Sequence, residues 1–322
     1  MGKYLVTSEF FLDAVFTSCC NCTCPFCISR TESYADENRS RWEQAVKDAF
    51  TLFDIRNVII LGGEATIDPR FWEKTDILTQ AMKGKRVDHL ILTTNGIMFR
   101  DQVFLSRLLS SRIDAVNLSR THHLQEINDD IFGQHTLTKD EISTLYHQLQ
   151  SAGKTLRLNV NVWRGNLDNV DEMNAFVKTF TGCCDAIKFT PLMRTDMFGT
   201  VEDVTLFTQQ HAIPEAEIAA LWDLFISHHH LLNKASQVLG FVDYAEAEAY
   251  GQRVILKYAQ VEDKYNRDQI IPTLKLYPNG CLSNEWSFSR DIRDMLAKKY
   301  GNEAFPPCLK CLKKTIKNSG SA

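Results

Sequence analysis

The chain has 322 residues, 44% hydrophobic and 24% charged, with a formal net charge of -4. That balance fits one globular domain of barrel size, or one domain with an extension, and excludes collagen-like, low-complexity and disordered classes. A mildly acidic chain has no general attraction for nucleic acid or anionic membranes, no apolar run reaches the ~18 residues of a membrane span, and no leader pattern opens the sequence.

A cytoplasmic protein with no nucleic-acid or membrane partner is therefore expected. Its ten cysteines are too clustered for a disulfide scaffold, and in a reducing compartment they point to metal or redox chemistry. The basic tail, Lys310, Lys313, Lys314 and Lys317, reads as a solvated end.

Apolar runs alternate with amphipathic stretches at βα spacing over the first ~190 residues. A first strand at 10–16 leads into a loop carrying Cys19, Cys20, Cys22, Cys24 and Cys27. Helical spacing follows at 41–53, then a strand at 58–61 that ends in Gly62-Gly63-Glu64. A helix at 71–82 precedes a third strand, 90–94, ending at Asn95-Gly96. A helix at 103–109 and a strand at 113–118 come next, the latter running into Ser119-Arg120. Thr138 and Glu141 have the spacing of a capping box for a helix to residue 150. The fifth strand is 156–162, its helix 171–180, and the sixth strand, 186–189, is stopped by Pro191.

Six βα units with right-handed crossovers predict an α/β fold, a partial (βα)6 TIM-type barrel over residues 1–194, with an open doubly wound sheet as the competing topology. Residues 195–322 read as a smaller α+β appendage. Pro214 opens a long helix, 215–232, in which the side chains of His228, His229 and His230 diverge as surface residues. Residues 244–258 are mixed, 273–277 form a strand entering a turn at Pro278-Asn279-Gly280, and a helix over about 290–300 precedes Cys308-x2-Cys311.

The chemistry concentrates at residues 19–30. Cys20, Cys24 and Cys27 are spaced C-x3-C-x2-C, and three thiolates leave a metal site one protein ligand short. Four would close a structural zinc or iron–sulfur site; three leave one iron of a [4Fe–4S] cluster open. A zinc site drawn from the five thiols is the competing reading. Glycines at a strand end permit close backbone approach to a ligand, and the ligand face of such a barrel lies at those ends.

With the Gly62-Gly63-Glu64 stretch, Thr94-Asn95-Gly96 and Asn117-Leu118-Ser119-Arg120 at three later strand ends, the chain resembles the radical S-adenosylmethionine (SAM) superfamily. The resemblance implies that Cys20, Cys24 and Cys27 hold a [4Fe–4S] cluster and that Phe26 lies close to bound SAM. It also implies that Gly62, Gly63 and Glu64 receive the SAM amino group and that Asn95 lines the pocket. Ser119 or Arg120 would hold the ribose or carboxylate, and Asn159 and Asn161, on one face of strand five, would face the ribose. His122 and His123 are candidates to bind substrate or move a proton near neutral pH.

Cys281, Cys308 and Cys311 resemble the ligands of an auxiliary cluster in the twitch and SPASM extensions of that superfamily. Barrel order and the passage near Lys188 to Met193 resemble the molybdopterin-precursor cyclases, but the order of the C-terminal cysteines departs from theirs, so their reaction is not expected. Adjacent Cys183 and Cys184 read as small buried hydrophobes. The activity implied is reductive cleavage of SAM to a 5′-deoxyadenosyl radical, with a flavodoxin- or ferredoxin-like electron donor. The radical would take hydrogen from a small-molecule or nucleotide-like substrate, or alternatively from a peptide. A non-catalytic zinc- or cluster-binding interaction protein is the reading from another class.

Overall fold

The computed structural model describes residues 10–31, 36–53, 55–195, 199–238, 241–258, 273–283 and 291–294. In chain order the elements are β1 (Phe10–Val15), α1 (Arg39–Leu52), β2 (Ile55–Leu61), α2 (Phe71–Ala81), β3 (His89–Thr94), α3 (Gln102–Ser110) and β4 (Ala115–Ser119). They continue with α4 (Gln125–Phe132), α5 (Lys139–Ser151), β5 (Thr155–Val162), α6 (Val170–Phe180), β6 (Ala186–Pro191), α7 (Glu202–His211) and α8 (Glu215–Ser227). The remainder are β7 (His230–Val238), β8 (Phe241–Ala249), β9 (Gln252–Lys257), β10 (Thr273–Leu276) and β11 (Leu282–Ser283).

The chain divides into two compact units, one of Met1–Cys20, Ser33–Leu92 and Tyr265–Ala322, the other of Asn21–Glu32 and Thr93–Lys264. In the first, strands run in the order β11-β10-β1-β2-β3. β1 pairs parallel with β2 on one side and with β10 on the other, Asp13 opposite Lys275. Helix α1 starts because Asn38 accepts the N–H of Arg41 at its N-cap, and it buries Trp42, Ala45, Val46, Ala49 and Phe50. That i, i+3, i+4, i+7 stripe seats Trp42 edge-on against Phe16, with ring centroids 5.9 Å apart. Each large side chain so buried contributes about 1.5–3 kcal/mol of apolar transfer.

In the second unit the order is β4-β5-β6-β9-β8-β7. β4, β5, β6 and β9 are parallel neighbours; β9, β8 and β7 form an antiparallel meander. Leu156, Leu158, Val160 and Val162 are buried on one side of β5, while Arg157, Asn159 and Asn161 occupy the other. The capping box of α5 is present in full: Thr138 Oγ1 accepts from Glu141 N, and Glu141 Oε2 accepts from Thr138 N at 2.7 Å.

Two sequence expectations change here. Helix α8 ends at Ser227 and His230 opens β7, so the expected 215–232 helix stops five residues early and its last three positions belong to a strand. The cause is long-range: residues 230–238 pair with β8, His230 opposite Glu248, and that ladder overrides the local helical pattern. Residues after 194 also do not stand apart from the sheets. β9 extends β6 in parallel, and β10 extends β1 in parallel, so the expected appendage supplies strands to both units. Helices α4 and α7 had no counterpart in the sequence reading. The expected helix over 290–300 falls mainly outside the described residues.

Candidate active site

The loop expected to carry the cluster begins where β1 ends. Phe16 N donates to Leu61 O at 2.8 Å, Gly63 N to Thr17 O at 2.7 Å, and Glu64 N to Cys19 O at 2.7 Å. A Cβ on Gly62 would lie 2.6 Å from Thr17 O, and one on Gly63 only 2.2 Å from Cys19 O. The two glycines were expected to admit a ligand. What requires them here is the cysteine loop itself, whose backbone runs in contact with the end of β2. Glu64 is buried, and its Oε1 accepts from Thr66 N and Thr66 Oγ1 (3.1 and 2.6 Å), capping a short 3-10 turn at Ala65–Ile67.

The same loop start is held from α2. Lys74 is 1% exposed; its Nζ donates to Phe16 O at 2.7 Å and pairs with Asp68 at 2.7 Å and Glu37 at 2.6 Å. Nothing in the sequence analysis singled it out, although a lysine among Phe71, Thr75 and Leu78 on a buried helical face is the available signal.

Within the second unit, Asn95 is tied to the loop. Its Nδ2 donates to Asn21 Oδ1 at 2.8 Å and lies 3.3 Å from Cys22 Sγ, while its Oδ1 accepts from Ile97 N at 3.0 Å. Asn95 therefore acts first as a clamp on the loop rather than as an open pocket wall. Cys22 and Cys24 pack with Phe132, and Phe26, Cys27, Ile97 and Ile131 lie against them. Thr23 N donates to Phe132 O at 2.9 Å. Phe26, expected beside SAM, meets the ring of Trp163, a residue missed at the end of β5, at 5.1 Å.

Arg120 takes a role different from the one expected. It is 2% exposed, and its fork donates to His122 O (2.8 Å), Leu137 O (2.8 Å), Gln125 Oε1 (3.0 Å) and His123 O (3.4 Å). Burial lowers its pKa to about 10. The guanidinium is committed to the loop after β4, so a bidentate pair with a SAM carboxylate is not what this geometry offers.

Beside it, His122 and His123 stack at 4.5 Å. His122 Nδ1 accepts from Leu124 N at 3.0 Å, and burial lowers its pKa to about 4. A ring neutral down to that pH does not shuttle protons near neutrality, which corrects the catalytic expectation for His122. His123 also has a lowered pKa through burial, and its Nδ1 is buried without a hydrogen-bond partner among the described residues.

Ser119, at the end of β4, is partly exposed and stands opposite Asn159 in the ladder. Asn159 O accepts from Arg120 N, and its Oδ1 accepts from Arg157 Nε at 3.0 Å. Asn161 shares that face, partly exposed, opposite Thr190.

Of the expected auxiliary ligands, Cys281 is 2% exposed and packs with Val15, Tyr277 and Leu61. Burial, with Asp291 second, pushes its thiol up to about 12. Cys308 and Cys311 lie outside the described residues. Cys183 and Cys184 are buried, as expected.

Among the described residues no group of three or more His, Cys, Asp or Glu side chains is gathered as a metal site. The fit of an iron–sulfur cluster rests instead on donor chemistry. All five cysteines from Cys19 to Cys27 stand outside disulfides, Cys20 is exposed, and soft thiolates are the ligands such a cluster takes. Among the described residues no helix is long and apolar enough to cross a membrane.

Residues 14–173 match the family described as the Radical SAM superfamily. The chain is 27% identical over 166 residues to the mycofactocin maturase MftC of Mycolicibacterium smegmatis, a match covering 51% of this chain and 40% of that protein. It is 26% identical over 185 residues to MftC of Mycobacterium tuberculosis H37Rv, covering 56% and 45%. The chain thus spans less than half the length of the curated relatives it matches. Among solved structures, Streptococcus suis SuiB bound to the precursor peptide SuiA aligns with a TM-score of 0.56 at 16% identity, over 88% of this chain and 64% of that one. SuiB bound to S-adenosylmethionine aligns at 0.55 and 17%, over the same shares. The likeness to SuiB is one of fold, the parallel βα units of a partial barrel. With the three-thiol loop seated at the end of β1, the family match makes the assignment: this chain belongs to the radical SAM superfamily.

Proposed function

We propose that the protein is a radical SAM enzyme that modifies a peptide. The observation that carries the reading is the C-x3-C-x2-C loop, whose backbone is pinned by Gly63 and Glu64 at one end and clamped through Asn95 further on. In this reading Cys20, Cys24 and Cys27 hold a [4Fe–4S] cluster. Phe26 with Trp163 forms an apolar wall beside SAM, and Ser119, Asn159 and Asn161 supply polar groups towards it. When bound, the cluster and SAM supply one-electron cleavage of the sulfonium to methionine and a 5′-deoxyadenosyl radical, which takes hydrogen from the substrate. The chain's own share is to fix the loop, orient the cofactor and exclude stray hydrogen donors.

A peptide substrate is favoured by the maturase relatives and by SuiB's complex with a precursor peptide. It is favoured also by β7, a nine-residue edge strand with one neighbour, β8, among the described strands, because such an edge accepts an extended chain. The small-molecule reading keeps the same cofactor chemistry. A flavodoxin- or ferredoxin-like protein would deliver the electron, and the cytoplasm suits an enzyme of free thiols.

Anaerobic reconstitution with iron and sulfide tests the core of this. The expected results are about four irons per cubane, an EPR signal on reduction, and 5′-deoxyadenosine release from SAM. Loss of all three in Cys24→Ala supports the ligand assignment. Stoichiometric zinc with no cubane would replace the reading by a zinc-binding interaction protein.

A further inference from the structure

The polar side of the second unit's sheet carries a guanidinium that no acid among the described residues neutralises. Along β5 the side chains of Arg157, Asn159 and Asn161 alternate with the buried Leu156, Leu158, Val160 and Val162. The register extends that polar side across neighbouring strands: Arg157 lies opposite Asn117 and Ala186, and Asn161 opposite Thr190. On β9 of the same face, Arg253 is matched by Glu246 at 2.6 Å, an acid on the adjacent strand β8.

Arg157 has no such match. Among the described residues its one hydrogen bond is Nε to Asn159 Oδ1 at 3.0 Å, and no carboxylate lies within ion-pair distance. Burial, and secondarily the charge of Arg253, lowers its pKa to about 10. The side chain is partly buried, and among the described residues its terminal nitrogens have no protein acceptor, which leaves the fork open to an anion. A planar, singly charged carboxylate matches one fork beside the neutral amides of Asn117 and Asn159, whereas a phosphate would call for more than one cation.

We propose that Arg157 anchors a carboxylate of the substrate, so that the peptide of the proposed function presents an acidic side chain or its C-terminus to this face. The inference rests on that peptide reading. The competing source of the same chemistry is the carboxylate of SAM itself. Position separates them: Arg157 lies two residues, about 7 Å, before the Asn159 row and away from the strand ends that carry Ser119 and Trp163.

The test uses the reconstituted full-length protein with SAM, and two synthetic probes, acetyl-Ala-Ala-Glu-Ala-Ala-amide and its Gln counterpart, titrated calorimetrically. The Glu peptide is expected to bind at least about ten-fold more tightly than the Gln peptide, the worth of one charge-assisted pair. Arg157→Met is expected to abolish the difference and Arg157→Lys to keep part of it. In both variants SAM affinity and peptide-free release of 5′-deoxyadenosine are expected to stay within two-fold of wild type by the order of that same estimate, about 0.4 kcal/mol.

Equal affinity for the two probes, binding of neither, or a preference that survives in Arg157→Met would overturn the proposal while leaving SAM cleavage intact. A fall in SAM affinity in Arg157→Met would assign the fork to SAM and overturn it equally. Loss of SAM cleavage in the wild-type protein would instead sink the enzyme reading. Thermal melts guard against misfolding, since removing a partly buried cation that pairs with no acid among the described residues is expected to leave the midpoint unchanged or raised.

Discussion

Replacing Gly63 by alanine asks whether the cysteine loop depends on bare backbone at the end of β2. The added Cβ would sit 2.2 Å from Cys19 O, 2.6 Å from Cys19 C and 2.6 Å from Ser18 O, all backbone atoms that no rotamer change can move. Gly63 has no left-handed φ, so crowding is the whole objection. Relief requires the loop to withdraw, which breaks Gly63 N to Thr17 O and Glu64 N to Cys19 O. Two backbone donors left without partners cost about 1–3 kcal/mol each, roughly 2–6 kcal/mol together. At roughly 2 °C per kcal/mol for a chain of this size, the melting midpoint falls by about 4–12 °C. The assay pairs a thermal melt with iron and sulfide content after anaerobic reconstitution, and both are expected to drop. Gly182→Ala is the control: its φ is +76° but nothing lies within 4 Å of the new Cβ. It carries only local strain, about 1–2 kcal/mol, and keeps full iron. A Gly63→Ala protein with wild-type midpoint and wild-type iron would refute the reasoning.

Three further outcomes follow from the buried groups. Lys74→Met strands Asp68, whose side chain is 5% exposed, and is expected to cost about 3–5 kcal/mol by urea denaturation; adding Asp68→Asn should recover much of it. Arg120→Met removes the donors to His122 O and Leu137 O and is expected to lower stability by about 2–5 kcal/mol with SAM affinity nearly unchanged in the folded fraction; the reverse pattern would restore a SAM role to the arginine. His122 makes stability pH-dependent. Its folded pKa of about 4 lies below the ordinary value of 6.5, so between those values the unfolded chain binds the extra proton. Stability is then constant from this group above pH 6.5 and falls as pH drops towards 4, by at most about 1.4 kcal/mol per unit. His122→Asn is expected to flatten that slope, and an NMR titration placing the imidazole pKa near 6.5 would contradict it.

The parallel βα units were legible in the chain because strand burial writes either a short apolar run, as at Val58–Leu61, or apolar residues at alternate positions, as at Leu156–Val162, bounded by turn residues. The capping box at Thr138 and Glu141 was legible for the same reason, since its geometry is set by neighbours three residues apart. The thiol spacing and strand-end motifs were equally local, and they sufficed to suggest the superfamily and its cofactor chemistry.

What the sequence by itself determined is therefore whatever lies within one turn or one loop: strand and helix identity, the cysteine spacing, the cap. Only the tertiary structure decided the partners that arrive from elsewhere in the chain. It turned Arg120 inward to loop carbonyls, gave Gly63 to the cysteine loop, moved residues 230–232 from the expected helix into a strand, and left Arg157 on a polar face with no acid partner among the described residues. Those outcomes depend on which groups long-range pairing brings within about 3 Å, and no local spacing encodes that distance.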